Sequence, residues 1–263
     1  MLAAQRKAAI LDEVAKAGAL KVATLAELLE VSEVTIRRDI DQLDEQGLVA
    51  KVHGGVTAKG FSATAEPAFS KTSQREQDSK EAIALEAARF VQPGQAVALM
   101  GGSSVFALAR AIAHIPGLTV VTNSVPISDY FAREEPTKGW SIVLTGGDRT
   151  PTDSLVGPLA EQAFRMFNFD IAFMGTHGMS PSGGFSSPNM FEADINRNVI
   201  ATSGTVVVLA DHTKWNVRGF SSFGPLSSAD VLIVDDQLDS SVAKELESQV
   251  TKLVLAPTAA TTR

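Results

Sequence analysis

The stretch TLAELLEVSEVTIRRDIDQLDEQGLVAKVHGGVT, residues 24–57, decides the fold of the first part of the chain. Thr24 and Glu27 have the spacing of a capping box, in which each side chain bonds an open backbone amide, so a first helix is predicted to begin at Thr24. Ser32 is a favoured N-cap residue and is predicted to start a second helix shortly after Glu30. Two helices that follow each other this closely are typical of a helix-turn-helix unit.

The second helix carries an apolar stripe and is followed by strand-like sequence. Ile36, Ile40 and Leu43 recur at helical spacing, so they are predicted to form one buried face. Gly47 is the expected helix stop, because glycine adopts the left-handed conformation at little steric cost. Residues 48–56 then predict two short strands joined by a glycine turn, which makes the unit a winged helix-turn-helix.

A helix of this kind fits the major groove of DNA, where an arginine can bond a guanine edge or grip a phosphate. Hydroxyl groups near the helix start can donate to phosphates or base edges, and basic residues of a wing can meet the DNA backbone. An isolated arginine pair is as often simply solvated. The DNA interpretation is favoured because the caps, the stripe, the glycine stop and the wing occur in register. The predicted DNA contacts are Ser32, Thr35, Arg37, Arg38, Lys51 and His53.

Residues 31–55 also resemble the N-terminal module of the DeoR family of bacterial transcription regulators. The matching pieces are the run TIRRDI, a leucine, a glycine-leucine pair and the run VHGG. The resemblance implies a recognition helix from about Ser32 and operator binding as a homo-oligomer, a dimer or a tetramer.

The length and composition of the whole chain limit the classes of protein to which it can belong. At 263 residues the chain fits two domains. It has no cysteine, which excludes disulfides and thiolate metal sites and fits a reducing cytoplasm. No leader and no apolar run of bilayer length is present, so a soluble intracellular protein is expected. No cofactor is expected, and the four histidines lack metal-ligand spacing, so no metal site is expected either.

The net charge argues against indiscriminate nucleic-acid binding. It is −7 for the chain, and residues 1–59 hold eight Lys and Arg against nine Asp and Glu. Binding must therefore come from a local face, with acidic residues such as Asp39 turned away from the DNA. A dimer would double the few phosphate contacts, so weak affinity is expected of a monomer.

We predict three segments. Residues 1–57 form the winged helix-turn-helix domain, residues 58–75 a linker, and residues 76–263 an α/β effector-sensing domain. The linker is small and polar, and Phe61 and Phe69 are the residues that could dock it onto a neighbour.

In the third segment, short apolar runs alternate with helical patterns, which predicts a mostly parallel sheet covered on both faces. The predicted strands are residues 96–100, 118–122, 140–144, 170–174, 205–209, 231–234 and 252–256. The predicted helices are residues 79–91, 105–115, 125–133, 157–166, 190–201 and 240–249.

Ligands of open α/β sheets bind where strands end and helices begin. Residues 101–104, GGSS, open directly into a helix, and their amides and hydroxyls favour a phosphate or carboxylate, although a plain tight turn is as common. Five successive strand ends carry small, hydroxyl, amide or charged residues, which indicates a polyol-phosphate pocket. Lys214 would bind the phosphate, and Asn123, Asp211 and Glu192 the sugar hydroxyls. The Asp235-Asp236 pair is interpreted as a solvated strand end.

The C-terminal sensor domain of the same family resembles the runs VTNSVPIS, LTGG, LVGPLAE, DIAFMGTHGM, FEADINRNVI and LADHTKW. That domain is similar to the ribose-5-phosphate isomerase fold and binds phosphorylated sugars or related metabolites. The effector contacts implied by the resemblance are Gly102, Ser103, Ser104, Asn123, Gly146, Gly147, Glu192, Asp211 and Lys214. The chain departs from the family pattern in two loops. Met100 and Gly101 stand where the family usually has an aspartate and a small polar residue, and Thr176 and His177 stand where it usually has a small residue and an asparagine.

The sequence thus predicts a cytoplasmic transcription regulator, a repressor of a carbohydrate operon, whose operator binding responds to a phosphorylated sugar. One alternative is an aldose-ketose isomerase with an appended DNA module, in which Glu192, Asp211 or Lys214 would act as general base. Another is an architectural DNA binder, which leaves the polar strand ends unexplained.

Overall fold

The computed structural model describes residues 3–17, 19–46, 48–52, 55–58, 69–133 and 139–258. The N-terminal module is helical with a small antiparallel sheet of order β1-β3-β2. Its elements are α1 (Ala3–Ala17), β1 (Ala19–Lys21), α2 (Val22–Leu28), α3 (Glu33–Glu45), β2 (Val49–Val52) and β3 (Gly55–Ala58).

The second predicted helix is confirmed as α3. The Ser32 hydroxyl accepts a hydrogen bond from the Thr35 amide and so caps the helix. Ile36, Ile40 and Leu43 are all buried, in one cluster with side chains of α1, α2, β2 and β3. The apolar stripe is therefore what holds the recognition helix onto its support.

Two details of this module differ from the sequence expectation. The first helix begins at Val22, so Thr24 lies inside it and the prediction of a capping box at its start was wrong. The wing has a third strand, because β1 pairs with β3 and sets Leu20 opposite Val56. The chain passes directly from β1 into α2. Because β1 pairs with a strand that is distant in sequence, neighbouring residues do not reveal where α2 begins. Gly47 lies outside the described residues.

A short helix, α4 (Phe69–Thr72), lies within the segment predicted to be a linker. The Phe69 ring packs edge-on against the Phe106 ring with centroids 5.5 Å apart, and the Phe69 amide donates to the Pro151 carbonyl at 3.2 Å. Phe69 thus docks this end of the segment on the α/β domain. Phe61 lies outside the described residues.

The α/β domain is built on a seven-stranded sheet of order β15-β14-β12-β9-β4-β5-β6, in which every neighbouring pair is parallel. The mostly parallel sheet and all seven of its strands are therefore confirmed. Its strands are β4 (Ala96–Leu99), β5 (Thr119–Thr122), β6 (Ser141–Leu144), β9 (Ile171–Gly175), β12 (Val206–Ala210), β14 (Val231–Asp235) and β15 (Leu253–Ala256).

Helices cover both faces of this sheet. Alternate strand residues point to opposite sides: Val97 and Leu99 join one buried cluster, and Ala98 joins the other. The first cluster packs against α5 (Gln77–Ala88), α6 (Ser103–Ile112) and α7 (Val125–Arg133). The second packs against α8 (Pro158–Arg165), α9 (Met190–Thr202) and α10 (Ser240–Glu247).

Two further sheets were not anticipated. One is the hairpin of β7 (Asp148–Arg149) and β8 (Leu155–Val156), and the other is the antiparallel sheet of β10 (Gly178–Ser180), β11 (Gly184–Ser187) and β13 (Ser221–Gly224). Their strands are too short for an alternating pattern to mark them. Across the described residues, no helix combines the length and the apolar character needed to cross a membrane.

Candidate functional site

Four of the six predicted DNA contacts lie on α3 or at its N-cap. Arg37 and Arg38 are exposed, and an Arg37 guanidinium nitrogen lies 3.1 Å from a Glu33 carboxylate oxygen. The Ser32 and Thr35 hydroxyls are 2.9 Å apart at the helix start. Because the Arg37 pair is exposed, it holds the guanidinium only weakly, and the side chain remains free to turn toward a phosphate or base.

Asp39 lies on α3 beside these arginines, but its carboxylate is buried. It pairs with Arg6 of α1, with nitrogen and oxygen 2.5 Å apart, and this hydrogen bond raises the pKa of the Arg6 guanidinium above its ordinary value. The pair joins the supporting helix to the recognition helix and removes one negative charge from the exposed side.

The wing residues are only partly described. The Lys51 backbone lies in β2, opposite Val56 of β3, but its side chain lies outside the described residues. His53 lies outside them altogether. Contacts of both with DNA stay predictions.

The order of the parallel strands creates one natural crevice in the α/β domain. From β4 the chain moves outward to β5 and β6, and then returns to place β9 on the other side of β4. The loops after β4 and β9 therefore leave the sheet in opposite directions, at the switch point where open α/β sheets bind ligands. The loop after β4, predicted at residues 101–104, and the loop after β9, predicted at residues 175–178, both begin at this switch point.

The first loop presents an open helix start. Gly102 has a φ of +134°, and a Cβ atom added to it would meet no atom within 4 Å, so space lies beside its backbone. Within the described ranges, no side chain caps α6, which begins at Ser103. Its first amides are therefore available to an anion, and the helix dipole favours negative charge there.

Asn123 shapes this loop. It is fully buried; its side-chain oxygen accepts from the Gly101 amide at 2.9 Å, and its side-chain nitrogen donates to the Leu155 carbonyl at 3.0 Å. These bonds join the ends of β4, β5 and β8. Asn123 therefore positions this loop, and its contact with a sugar hydroxyl stays a prediction.

The third loop has a structural reason for its glycine pair. Gly147 has a φ of +131°, and an added Cβ would lie 2.4 Å from the Val156 carbonyl oxygen, so the β7–β8 hairpin requires glycine there. Gly146 is exposed. The preceding Thr145 is buried, and its hydroxyl has no hydrogen-bond partner within the described part of the chain.

The loop after β12 supplies charge. Asp211 is buried and accepts from the Thr213 amide at 3.1 Å, and its other oxygen lies 3.7 Å from the Lys214 ammonium. Burial, with the positive charge of Lys214 adding to it, lowers the pKa of His177 to about 4. His177 is therefore neutral at pH 7, and Lys214 makes the local potential positive.

Lys80 is a charged residue of this region that was not among the site residues predicted from the sequence. It lies on α5 and is only 6% exposed. Its ammonium donates to the Thr72 carbonyl at 2.6 Å and to the Arg75 carbonyl, at the end of α4. Burial lowers the pKa of Lys80. The charge of Asp211 opposes that change, and the charge of Lys214 adds to it, so Lys80 interacts electrostatically with both. Lys80 lies three and four residues before Ile83 and Ala84, a helical spacing that places it on the buried face and could have predicted its burial.

Glu192 sits in the first turn of α9. The Asn189 side chain caps that helix, and the Ser187 hydroxyl of β11 donates to the Glu192 carboxylate. Glu192 is thus held at the antiparallel sheet.

Asp235 contradicts the expectation of a solvated strand end. Its carboxylate is fully buried, lies 2.8 Å from the His212 Nδ1 atom and accepts from the His212 amide at 2.7 Å. It therefore fixes the loop after β12 to the end of β14. Among the residues with described positions, no group of three or more His, Asp or Glu side chains is arranged to hold a metal.

Comparisons with known proteins agree with this two-part organisation. Residues 6–59 match the DeoR-like helix-turn-helix domain, and residues 75–236 match the DeoR C terminal sensor domain. A Haloferax volcanii protein named HTH-type transcriptional regulator GlpR is 32% identical over 94% of this chain and 96% of its own. The Escherichia coli regulator YgbI, named as uncharacterized, is 34% identical over 97% of this chain and 99% of its own.

Two further proteins have lower sequence identity to this chain. A putative aga operon transcriptional repressor of Escherichia coli is 26% identical over 95% of this chain and 93% of its own. A solved ribose-5-phosphate isomerase in complex with phospho-erythronic acid is 16% identical over 53% of this chain and 54% of its own, with a TM-score of 0.39. From the matches over both of its parts, the chain belongs to the DeoR family of helix-turn-helix transcription regulators, which bind DNA.

Proposed function

We propose that this regulator is a cytoplasmic, oligomeric repressor of a carbohydrate-metabolism operon, and that a phosphorylated sugar or related anion sets its operator affinity. The observation that carries the effector part is the open start of α6 beside Gly102, at the switch point of the sheet, together with the Lys214 ammonium on the loop after β12. Amides at a helix start and a lysine are the groups that bind phosphate.

The electrostatics of the crevice support an anion. Lys214 and Lys80 lie close enough for each to affect the ionisation of its neighbours, and Asp211 offsets only part of their charge. An anion that entered between α6 and Lys214 would meet positive potential from both sides. The sign of regulation rests on similarity alone, because one relative is named as a putative operon repressor.

Met100 narrows the class of effector. Its side chain is buried in the core cluster with Ala98 and Phe164, so this position offers no polar group to the crevice. The family pattern that the sequence resembles has a carboxylate at this place. Hydroxyl groups of the effector must therefore be bound elsewhere, and we expect an effector with fewer hydroxyls on the side of β4.

Lys80 offers a route from the effector site to the DNA-binding module. Its ammonium holds the backbone that ends α4, the helix that follows residues 59–68. An anion near Lys214 would attract the same ammonium and weaken its bonds to the Thr72 and Arg75 carbonyls. Effector and operator would then favour different states of this segment, and each would lower the affinity for the other by the same factor.

We assign no catalytic role to the domain. An aldose-ketose isomerase needs a general base free to take a proton from its substrate. The Glu192 carboxylate is engaged by Ser187, and the Asp211 carboxylate by Thr213 and Lys214. Exchange of the C1 or C2 proton of a bound sugar phosphate with solvent, followed by NMR, would overturn this assignment.

The test of the effector site is a thermal melt of the full chain against sugar phosphates, each paired with its unphosphorylated sugar. A ligand at 100 times its Kd stabilises the native state by about 2.7 kcal/mol. We expect stabilisation by at least one phosphate, its loss in Lys214→Met, and its retention in the control Lys252→Met, which removes an exposed lysine of the same domain. Equal stabilisation of both variants, or none of the wild type, would contradict the proposal.

A further inference from the structure

Val34 is an exposed apolar residue on the recognition helix. It is 76% exposed, whereas the other large apolar residues of α3, Ile36, Ile40 and Leu43, are at most 2% exposed. At about 100° per residue, Val34 and Arg38 lie opposite the buried stripe. Val34 therefore stands on the part of the helix that projects farthest from its own domain.

The charge distribution along α3 fixes which half of the helix can approach DNA. Asp44 and Glu45 are exposed at its C-terminal end and would be repelled by phosphates. The N-terminal half presents Arg37 and Arg38; its own acidic residue, Glu33, pairs with Arg37, and the nearby Asp39 is paired with Arg6. The helix must therefore enter the groove by its N-terminal half, the half that carries Val34.

One feature of the major groove matches an exposed valine. The thymine C5-methyl group is the apolar group displayed there, and small apolar side chains pack against it. Hydroxyls and guanidinium groups around Val34 would meet the polar base edges and phosphates. We infer that Val34 is a specificity-determining residue that selects thymine in each operator half-site by packing against its methyl group. The inference rests on the DNA-binding role of the family and is independent of any effector.

A double-mutant cycle tests this contact. The operator is first obtained by selecting duplexes from a random pool with the full-length protein. Each thymine is then replaced in turn by deoxyuridine, which lacks only the methyl group, and affinities are measured for wild type and Val34→Ala. For one thymine per half-site we expect wild type to lose affinity on the order of fourfold per half-site, as for one methyl group removed from a contact. Val34→Ala should bind the natural operator more weakly, and the same uridine should cost it nothing further.

The controls separate this contact from general damage. Alanine is a better helix former than valine, so Val34→Ala should keep the helix, which circular dichroism checks. Leu85→Ala, which shortens another exposed apolar side chain, on α5, should bind like wild type. Arg38→Ala should reduce the salt dependence of binding, whereas Val34→Ala should leave it unchanged.

Three results would overturn the inference: unchanged operator affinity in Val34→Ala, an equal effect of every uridine on both proteins, or selected half-sites that share no thymine. Failure of the wild type to select any duplex would instead count against the DNA-binding role itself.

Discussion

Replacing Lys80 by methionine keeps most of the side-chain length but removes the ammonium that holds the end of α4. Two bonds are lost, one to the Thr72 carbonyl at 2.6 Å and one to the Arg75 carbonyl. A hydrogen bond from a charged donor contributes about 1.5–3 kcal/mol. Relief from burying the charge offsets part of the loss, so we expect residues 72–76 to open more easily by about 2 kcal/mol. Phe69 keeps its own contact with Phe106, so the start of α4 should stay docked.

Hydrogen exchange with mass spectrometry measures this opening in the full chain without effector. Amides of residues 72–76 should exchange about 30-fold faster in Lys80→Met, because about 1.4 kcal/mol corresponds to a factor of ten. The control is Lys252→Met. The ammonium of Lys252 lies over the Phe90 ring, so its removal should leave the exchange of these amides unchanged. Lys80→Arg, which keeps charge and donors, should fall in between.

A second measurement on the same variants tests the role of Lys80 in coupling. We expect Lys80→Met to bind operator with an affinity that depends less on effector than that of wild type. Unchanged exchange at residues 72–76 would refute the view that Lys80 secures this segment. Faster exchange with an undiminished effector response would refute its role in coupling.

Three further changes test particular contacts. The neutral His177 has a pKa of about 4 against an ordinary 6.5, so its contribution to stability is complete above pH 6.5 and is lost as the pH falls toward 4; the unfolding free energy should drop by about 1–2 kcal/mol from pH 7 to pH 5, and less in His177→Gln. Gly101→Ala places a Cβ 2.0 Å from the Ser154 hydroxyl oxygen, so urea unfolding should show a loss of about 1–3 kcal/mol that Ser154→Gly partly restores. Ser32→Ala removes the cap of α3 and should lower the unfolding free energy of the N-terminal module by about 1 kcal/mol, seen in thermal melts against an Asn variant that keeps a cap.

The sequence predicted the elements whose signals are local or strongly periodic. The stripe of Ile36, Ile40 and Leu43 and the cap at Ser32 lie within one helix, so neighbouring residues are enough to reveal them. All seven strands were visible as apolar runs, because a sheet covered on both faces requires apolar residues at nearly every position of its inner strands. The edge strands β6 and β15 are only partly buried. Their alternation with helices then implied the parallel arrangement.

Features that depend on distant residues were missed or misread. The start of α2 follows from pairing of β1 with β3, about 35 residues apart in sequence. Asp235 was interpreted as solvated because its partner His212 belongs to a different loop. Lys80 was overlooked because a lysine on a helix is ordinarily exposed, and its bonds to backbone carbonyls cannot be read from composition.

The candidate effector site was likewise predictable from the sequence only in part. The resemblance to a family indicated which loops form it, and the strand order places those loops at one edge of the sheet. What each residue does there depended on geometry, since Asn123 and Gly147 are used to hold the loops together whereas Gly102 leaves its backbone open.

We propose that one anion site controls operator binding, and reciprocal titration tests this control most directly. Operator Kd is measured with and without a saturating sugar phosphate chosen from the melting experiment, and the Kd of that phosphate is measured with and without operator. We predict that both constants change by the same factor, about 5- to 150-fold. A phosphate that stabilises the protein but leaves the operator Kd unchanged would contradict control of operator binding by this site.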